Sequence, residues 1–403
     1  MFAFPFNRKM LPFPMAAVGL ASCLAYADPL DTLQFEAGQS VERDSNVFRL
    51  SDSAATQPLI GSADRSDTVA VTHLGLKLNK PYGLQRFELD VNVQDHRYQR
   101  YSKLDFTAFN YAAAWRWSFT PRLRGNLSSE RREYVDPTAD VQNFGQVSRR
   151  TERATLFDAE YEIDGPWRLV GGVFDRSSSS SQPLSFEADT RVTGAEGGVR
   201  YVFPSSTSVA YRFRSGEGEY PGRLPSPLLA RSFSDREHEL RLDWATTGRT
   251  TVRGRVAHFE RSHDDLSARD FSGFTGQLDA VWAITAKTRL AAGAARELGS
   301  YQSASASHYE GHRFFVAPTW KPSEKTALRA NYSHGVRNYS GALPGFVESR
   351  RRDTTRLASL AFDWLPWRAL KLTASLERDR RSSTDPRFDY QSNRLGLTAL
   401  ATF

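Results

Sequence analysis

The sequence predicts an all-β fold: a transmembrane antiparallel up-and-down β-barrel of about 18 strands, with short periplasmic turns and long external loops. Three observations predict it: period-two alternation of apolar and polar residues, connections that alternate between short and long, and a terminal strand ending on an aromatic residue. In that last strand Leu395, Leu397, Ala399, Ala401 and Phe403 share one face. Arg394, Gly396, Thr398 and Thr402 share the other, with Leu400 the exception. A soluble sandwich can also end on such a strand, so the rest of the chain has to decide.

The N-terminus reads as a secretory leader. Met1 to Ala27 carries Arg8 and Lys9 and no acid, then a short apolar stretch from Leu11 to Leu24, then Ala25-Tyr26-Ala27 before Asp28. A charged segment, an apolar segment and a small-x-small site are the parts of a cleavable signal. Pro12 and Pro14 break a stretch already short for a membrane helix. Leu20-Ala21-Ser22-Cys23 is a competing lipobox, in which Cys23 would carry the lipid. We expect cleavage after Ala27, leaving residues 28–403 as one barrel without a composition break. That cleavage removes the only cysteine, two of the 53 basic residues and none of the 46 acidic ones. The mature chain then has no disulfide or thiolate metal site, and its mild positive excess does not indicate nucleic-acid binding.

Composition excludes helical spans. The chain is 40% hydrophobic with a mean hydropathy of −0.51. After the leader no apolar run approaches the roughly 18 residues that a spanning helix needs. A barrel needs no such run, because only alternate residues face lipid.

The strands follow in order. Phe87, Leu89, Val91 and Val93 alternate with Arg86, Glu88, Asp90 and Asn92; Phe109, Tyr111, Ala113, Trp115 and Trp117 alternate with Asn110, Ala112, Ala114 and Arg116. Phe157, Ala159, Tyr161 and Ile163 alternate with Asp158, Glu160 and Glu162. Leu240, Leu242 and Trp244, then Phe274, Leu278 and Trp282, then Leu370, Leu372 and Leu376 repeat the rhythm. Short connections are expected near Asn79 to Gly83, Thr120 to Pro121, Asp164 to Pro166, Pro204 to Ser206, Thr246 to Gly248, Thr285 to Lys287, Lys321 to Ser323, and Leu365 to Pro366. Long ones are expected near Asp44 to Ser66, Tyr101 to Asp105, Val135 to Ser148, Ser177 to Ser185, Ser215 to Asp235, Arg261 to Asp270, Gly299 to Ser307, Arg337 to Arg352, and Asp379 to Asp389. This asymmetry belongs to outer-membrane barrels. Trp117, Trp167, Trp244, Trp282, Trp320, Trp364 and Trp367 all fall within a few residues of a short turn, as an aromatic girdle at one lipid boundary would.

Alternation also assigns a lumen. Arg86, Glu88, Asp90, Arg116, Arg122, Arg124, Arg212, Glu239, Arg241, Asp243, Arg253, Arg255, Asp279 and Arg329 are the candidate pore-lining residues. They fit two roles: contacts for a polar solute, or ion pairs that stiffen the wall. Arg49, Arg149, Arg150, Arg350, Arg351, Arg352, Arg378 and Arg380 are expected in the loops. Guanidinium groups there suit phosphates of surrounding lipopolysaccharide or an acidic glycan; a plain solvated loop fits as well. Phe403 is the expected signal for the barrel-assembly machinery. Enzyme signals are weak: there is no H-x-x-x-H pair and no G-x-S-x-G elbow, and His263-Asp264-Asp265 is a bare loop cluster. No catalytic residue, metal or cofactor is expected.

The first strand and its loop carry a resemblance. Asp31-Thr32-Leu33-Gln34-Phe35 opens the strand, and Glu42-Arg43-Asp44-Ser45-Asn46-Val47-Phe48-Arg49-Leu50 follows. This stretch resembles the exopolysaccharide-biosynthesis outer-membrane barrels of the EpsL type, which are associated with exosortase systems. The resemblance implies a barrel that takes part in exporting a secreted polysaccharide, with periplasmic export components as partners. It supplies no catalytic residues. Two other functions stay open: a solute-selective porin working inward, and a structural or surface-interaction barrel with a filled lumen. Physically, the apolar Val47, Phe48 and Leu50 need cover, either in the barrel mouth or in a hairpin extension on the rim.

Overall fold

Eighteen strands pair in one antiparallel sheet whose first strand meets its last, in a computed structural model that describes residues 32–135, 148–182, 189–223 and 226–403. The expected leader with Cys23, and residues 136–147 of the loop expected between Val135 and Ser148, lie outside the described residues. The wall begins with β1 (Leu33–Asp44), β2 (Asp67–Tyr82), β3 (Gln85–Tyr98), β4 (Phe106–Thr120), β5 (Leu123–Val135) and β6 (Arg149–Asp164). It continues with β7 (Trp167–Ser180), β8 (Thr190–Val202), β9 (Ser208–Glu219), β10 (Ser232–Thr247), β11 (Thr250–His263) and β12 (Phe271–Ala283). It closes with β13 (Thr288–Ser300), β14 (His308–Ser323), β15 (Thr326–Ser340), β16 (Arg352–Trp367), β17 (Leu370–Ser383) and β18 (Tyr390–Thr402).

Each strand pairs with its sequence neighbours, and β1 pairs antiparallel with both β2 and β18. The seam runs in register from Glu36 opposite Thr402 to Asp44 opposite Arg394. At its lower end the Phe35 N–H donates to the Phe403 carbonyl at 2.9 Å, and the Phe403 N–H donates to the Phe35 carbonyl at 2.8 Å. The terminal residue is thus the last rung of the closure. An unpaired backbone group in hydrocarbon costs several kcal/mol, so a sheet with an apolar outer face has to close.

Large apolar side chains stand exposed on the outside: Leu74, Val173, Leu240, Val256, Leu278 and Leu395, with Leu397 at 60%. That is the outer band of an outer-membrane barrel. The buried apolar clusters lie at the long-loop end. Phe48, Leu50, Ile60, Tyr101 and Leu104 form one, capped by the short helix α1 (Thr56–Ile60); Tyr220, Ala230 and Phe233 form the other.

Turns and loops obey the expected asymmetry, with one correction. The hairpins at Gly83 and Gly165 hold their glycines at φ 57 and 51, a backbone conformation that costs a residue with a Cβ. On the other side several expected loops begin later than predicted. β7 runs on to Ser180, β9 to Glu219, β15 to Ser340 and β17 to Ser383. The strands are 12 to 16 residues long, where about 9–11 suffice to cross the bilayer. Their upper ends project into water, where both faces are polar. Alternation stops at the lipid edge while the hydrogen-bonded ladder continues.

Leu278 lies on the outer face midway between the girdle residue Trp282 and the upper Phe274. Leu278→Arg is expected to cost about 2–4 kcal/mol. Urea unfolding in lipid vesicles measures it; a loss below about 0.5 kcal/mol would move Leu278 out of the bilayer.

Candidate functional site: the charged lumen and its mouth

Because side chains alternate and neighbours pair in register, one inward residue fixes the next. Lys77 stands opposite Asp90, Asn92 opposite Asn110, Arg116 opposite Asn126, and Asn126 opposite Asp158. The inner face takes Arg86, Glu88 and Asp90 on β3, Arg116 on β4, Arg124 on β5 and Arg212 on β9. It takes Glu239, Arg241 and Asp243 on β10, Arg253 and Arg255 on β11, Asp279 on β12, and Arg329 on β15. Arg122 is the exception. It is exposed in the turn between β4 and β5, because that hairpin closes at Thr120 opposite Leu123.

The inner side chains form cross-strand networks. Around β8 to β11, Glu196 accepts from Arg212 at 2.6 Å and from Arg214 at 2.7 Å. Glu237 accepts from Arg214 and Arg255, both at 2.7 Å. Glu239, only 2% exposed, pairs with Arg241 at 2.9 Å and with Arg255. Arg176 stacks on the inward ring of Phe174 at 4.8 Å. Five guanidinium groups (176, 212, 214, 241, 255) here surround three carboxylates (196, 237, 239). The wall patch is positive. Below it, Arg253 pairs with Asp243 at 3.6 Å, and Glu160 holds Arg124 at 2.5 Å and Arg200 at 3.0 Å.

Half a turn around the barrel the two signs balance. Glu36 holds Lys77 at 2.6 Å and His73 at 3.6 Å. Arg394 lies between Glu377 and Glu42, 3.8 Å from the latter. Arg49 lies 2.8 Å from Asp44 and 3.9 Å from Asp379. Five carboxylates (36, 42, 44, 377, 379) here stand with five cations, Arg49, Lys77 and Arg394 together with Lys371 and Arg381 on the inner face of β17. β1 and β10 are nine strands apart in an eighteen-strand ring, so the two patches oppose each other across the lumen. A polar interior with surplus positive charge on one wall only carries a transverse field. Arg116 clamps Glu88 at 2.9 and 2.8 Å, and Arg329 clamps Asp363 at 2.7 and 2.8 Å. These two bidentate pairs stiffen the wall.

Sequence reading missed Glu196, Arg214, Glu237 and Arg176. Glu196 sits in Gly194-Ala195-Glu196-Gly197-Gly198, where glycines erase the alternation. Register against β9 and β7 recovers it: Glu196 stands opposite Arg214 and Gly172.

The mouth explains the motif at β1. Asp44 accepts from the Asn46 N–H at 2.7 Å, from Ser392 Oγ at 2.5 Å and from Arg49. The Asn46 amide donates to the Leu50 and Gln391 carbonyls at 2.8 and 3.0 Å and accepts from the Leu50 N–H at 3.0 Å. Arg49 has a positive φ of 54, and Phe48 is turned fully inward onto Tyr101, with ring centroids 4.7 Å apart. The stretch is a staple that ties β1 to β18 above the lipid, and its apolar side chains are covered in the mouth.

The arginines expected in loops divide into three groups. Arg49, Arg150 and Arg351 are drawn into the wall or mouth. Arg351 pairs with Asp353 at 2.6 Å, donates to the Tyr301 hydroxyl at 3.0 Å and lies 3.4 Å from the Phe388 ring centroid, so it is committed inside the barrel. Arg149 pairs with Glu133 at 3.1 Å, and Arg350 lies in the turn before β16. Arg352, Arg378 and Arg380 are not loop residues. They stand exposed on the outer faces of β16 and β17, because those strands extend past the lipid.

Six of the seven girdle tryptophans, Trp167, Trp244, Trp282, Trp320, Trp364 and Trp367, are exposed on the outer face near the short turns. Trp117 is on the same rim but 4% exposed. It lies flat over Gly125, where an added Cβ would come within 2.4 Å of the ring, and stacks on Phe157. His263 donates or accepts with the Tyr220 hydroxyl at 3.0 Å and lies 3.3 Å from Asp270, inside the second apolar cluster. Its packing places it in the framework of the mouth.

No protein-family model matches the chain, and no curated protein matches it. Among solved structures it is similar to the outer membrane protein OpdK of Pseudomonas aeruginosa, with 13% identity, 92% of this chain and 99% of that chain covered, and a TM-score of 0.47. It is also similar to a BenF-like porin of Pseudomonas fluorescens Pf-5, with 15% identity, 93% and 100% covered, and a TM-score of 0.49. OccAB3 of Acinetobacter baumannii is a third, with 10% identity, 92% and 98% covered, and a TM-score of 0.47. At these identities the lining side chains are this chain's own.

Asp44→Ala removes the centre of the seam staple and leaves Arg49 beside Asp379 alone. Breaking a buried ion pair on one side costs about 3–5 kcal/mol. Thermal unfolding in detergent is expected to fall accordingly, with Ser392→Ala, which removes one hydrogen bond, costing about 1 kcal/mol. Equal stability of Asp44→Ala and the parent would contradict the staple.

Proposed function

We propose that the protein is a solute-selective outer-membrane channel that favours small polar solutes carrying a carboxylate or phosphate. The observation that carries this reading is the guanidinium-rich patch around Glu196, Glu237 and Glu239 opposite the charge-balanced network at β17, β18, β1 and β2. A solute between them is oriented by the field, and the positive wall offers planar donors suited to carboxylate and phosphate. Partners in this reading are the surrounding lipid and the barrel-assembly machinery that reads Phe403. Export of an exopolysaccharide keeps the resemblance over Glu42 to Leu50 as its support. The side chains of that stretch are engaged in the seam, which gives them a structural task independent of any glycan.

The test uses Arg212→Gln with Arg241→Gln. Each change leaves its carboxylate one guanidinium: Arg214 for Glu196, and Arg255 for Glu239. The wall then carries as many cations as anions without a stranded buried charge. In liposome swelling, the parent is expected to admit a sugar acid faster than the matching neutral sugar, and the double variant to lose that preference by roughly threefold or more. Equal rates for both sugars in the parent would overturn the proposal, and a secreted-polysaccharide defect in a null strain would return weight to export.

A further inference from the structure

The outer face of β16 and β17 carries a feature that the channel does not use. Arg356 and Arg380 are direct cross-strand partners, both exposed and both outward. Arg378 lies two residues below Arg380, and Arg352 four residues above Arg356, on the same face. None of the four has an ion-pair partner among the described residues. The neighbours on β18 are Gln391 and Asn393, both neutral, and Gln391 accepts from Arg378 at 3.1 Å.

Like charges directly opposite each other in a sheet are destabilising. Several other outer-face arginines at this level stand beside carboxylates, and where Arg131 stands opposite Arg153, Glu133 lies beside Arg131. Arg97 is 2.8 Å from Asp95, Arg131 is 3.0 Å from Glu133, Arg191 is 2.8 Å from Asp175, and Arg296 is 2.8 Å from Glu310. The β16–β17 patch gathers four arginines with no carboxylate paired to any of them among the described residues, and so leaves its charge for something outside the chain. Its height says what that is. One residue pair below Arg378 the outer face turns apolar at Leu360 opposite Leu376, the upper edge of the lipid band. The guanidinium groups therefore sit at the headgroup level of the outer leaflet.

We propose that this patch binds the phosphates of an anionic glycolipid of the outer leaflet. A phosphate bridging Arg356 and Arg380, with Arg378 and Arg352 flanking it, supplies the anion that the sheet lacks and turns a repulsive pair into a clamp. The acyl chains then lie against Leu360 and Leu376. This holds whatever passes through the lumen.

The probe is diphosphorylated lipid A in mixed detergent micelles, compared with the same lipid after enzymatic removal of its phosphates. The full barrel is expected to bind the phosphorylated form at least about tenfold more tightly, and Arg356→Gln with Arg380→Gln to abolish the difference. Arg191→Gln, at a compensated site, is expected to leave it unchanged. Melting in neutral detergent gives a second readout that does not need the double variant. Without lipid A, Arg380→Gln is expected to melt higher than the parent, because the repulsion is relieved. With lipid A the order reverses. Equal binding of the two lipids by the parent, or an unchanged order of melting, would overturn the proposal. Full competition by millimolar inorganic phosphate would likewise overturn it, by assigning the patch to a soluble anion.

Discussion

Every backbone N–H and C=O in a hydrocarbon layer must find a partner within the protein, and the rest of this structure depends on how the chain meets that demand at one seam. Strands β2 to β18 pair with the strands next to them in sequence. The pairing of β1 with β18 joins residues 350 to 366 positions apart. Local chain connectivity gives that pairing no help. The sequence concentrates specific chemistry there instead. Phe35 and Phe403 exchange both backbone bonds at the bottom, Ser40 and Thr398 meet at 3.1 Å in the middle, and Asp44, Asn46 and Ser392 lock the top. The stretch from Arg43 to Leu50 looks distinctive as sequence because its side chains hold one backbone shape against a distant strand.

Closure also sets the conditions for function. A ring of eighteen strands has an inside, and the alternation that puts Leu240 and Val256 toward lipid puts Glu239, Arg241 and Arg255 toward the lumen. Those groups cannot all be neutralised in pairs, because each strand offers only every second residue and each register fixes who meets whom. The outcome is surplus guanidinium on one wall, facing a wall whose charges balance. On the outside the same geometry lifts Arg356 and Arg380 above the lipid edge. Both features follow from strand registers, with no loop required to place them.

Much of this was legible in the sequence. The strand number, the turn asymmetry and the inward placement of residues such as Arg116, Asp243 and Arg329 follow from period two alone. What was not legible has physical reasons. Arg378 and Arg380 look like loop residues because hydrophobic alternation ends where lipid ends, while the ladder runs several residues further. Glu196 was hidden among glycines, which carry no sidedness. Arg351 looked free because Tyr301 and Phe388, which hold it beside its near neighbour Asp353, come from two other connections that meet it only in the mouth. Trp117 shares the girdle's height, but the gap over Gly125 on the neighbouring strand pulls it flat, and only the register between β4 and β5 reveals that gap.

The central claim is that the lumen is an open path whose charged walls select by sign. The measurement that reaches it most directly is the reversal potential of the purified barrel in a planar bilayer under a salt gradient. The account predicts stepwise conductance with a reversal potential of the sign for anion preference, shrinking as ionic strength rises and screening shortens the reach of the wall charges. A well-folded barrel that conducts with cation preference, or does not conduct at all, would contradict it.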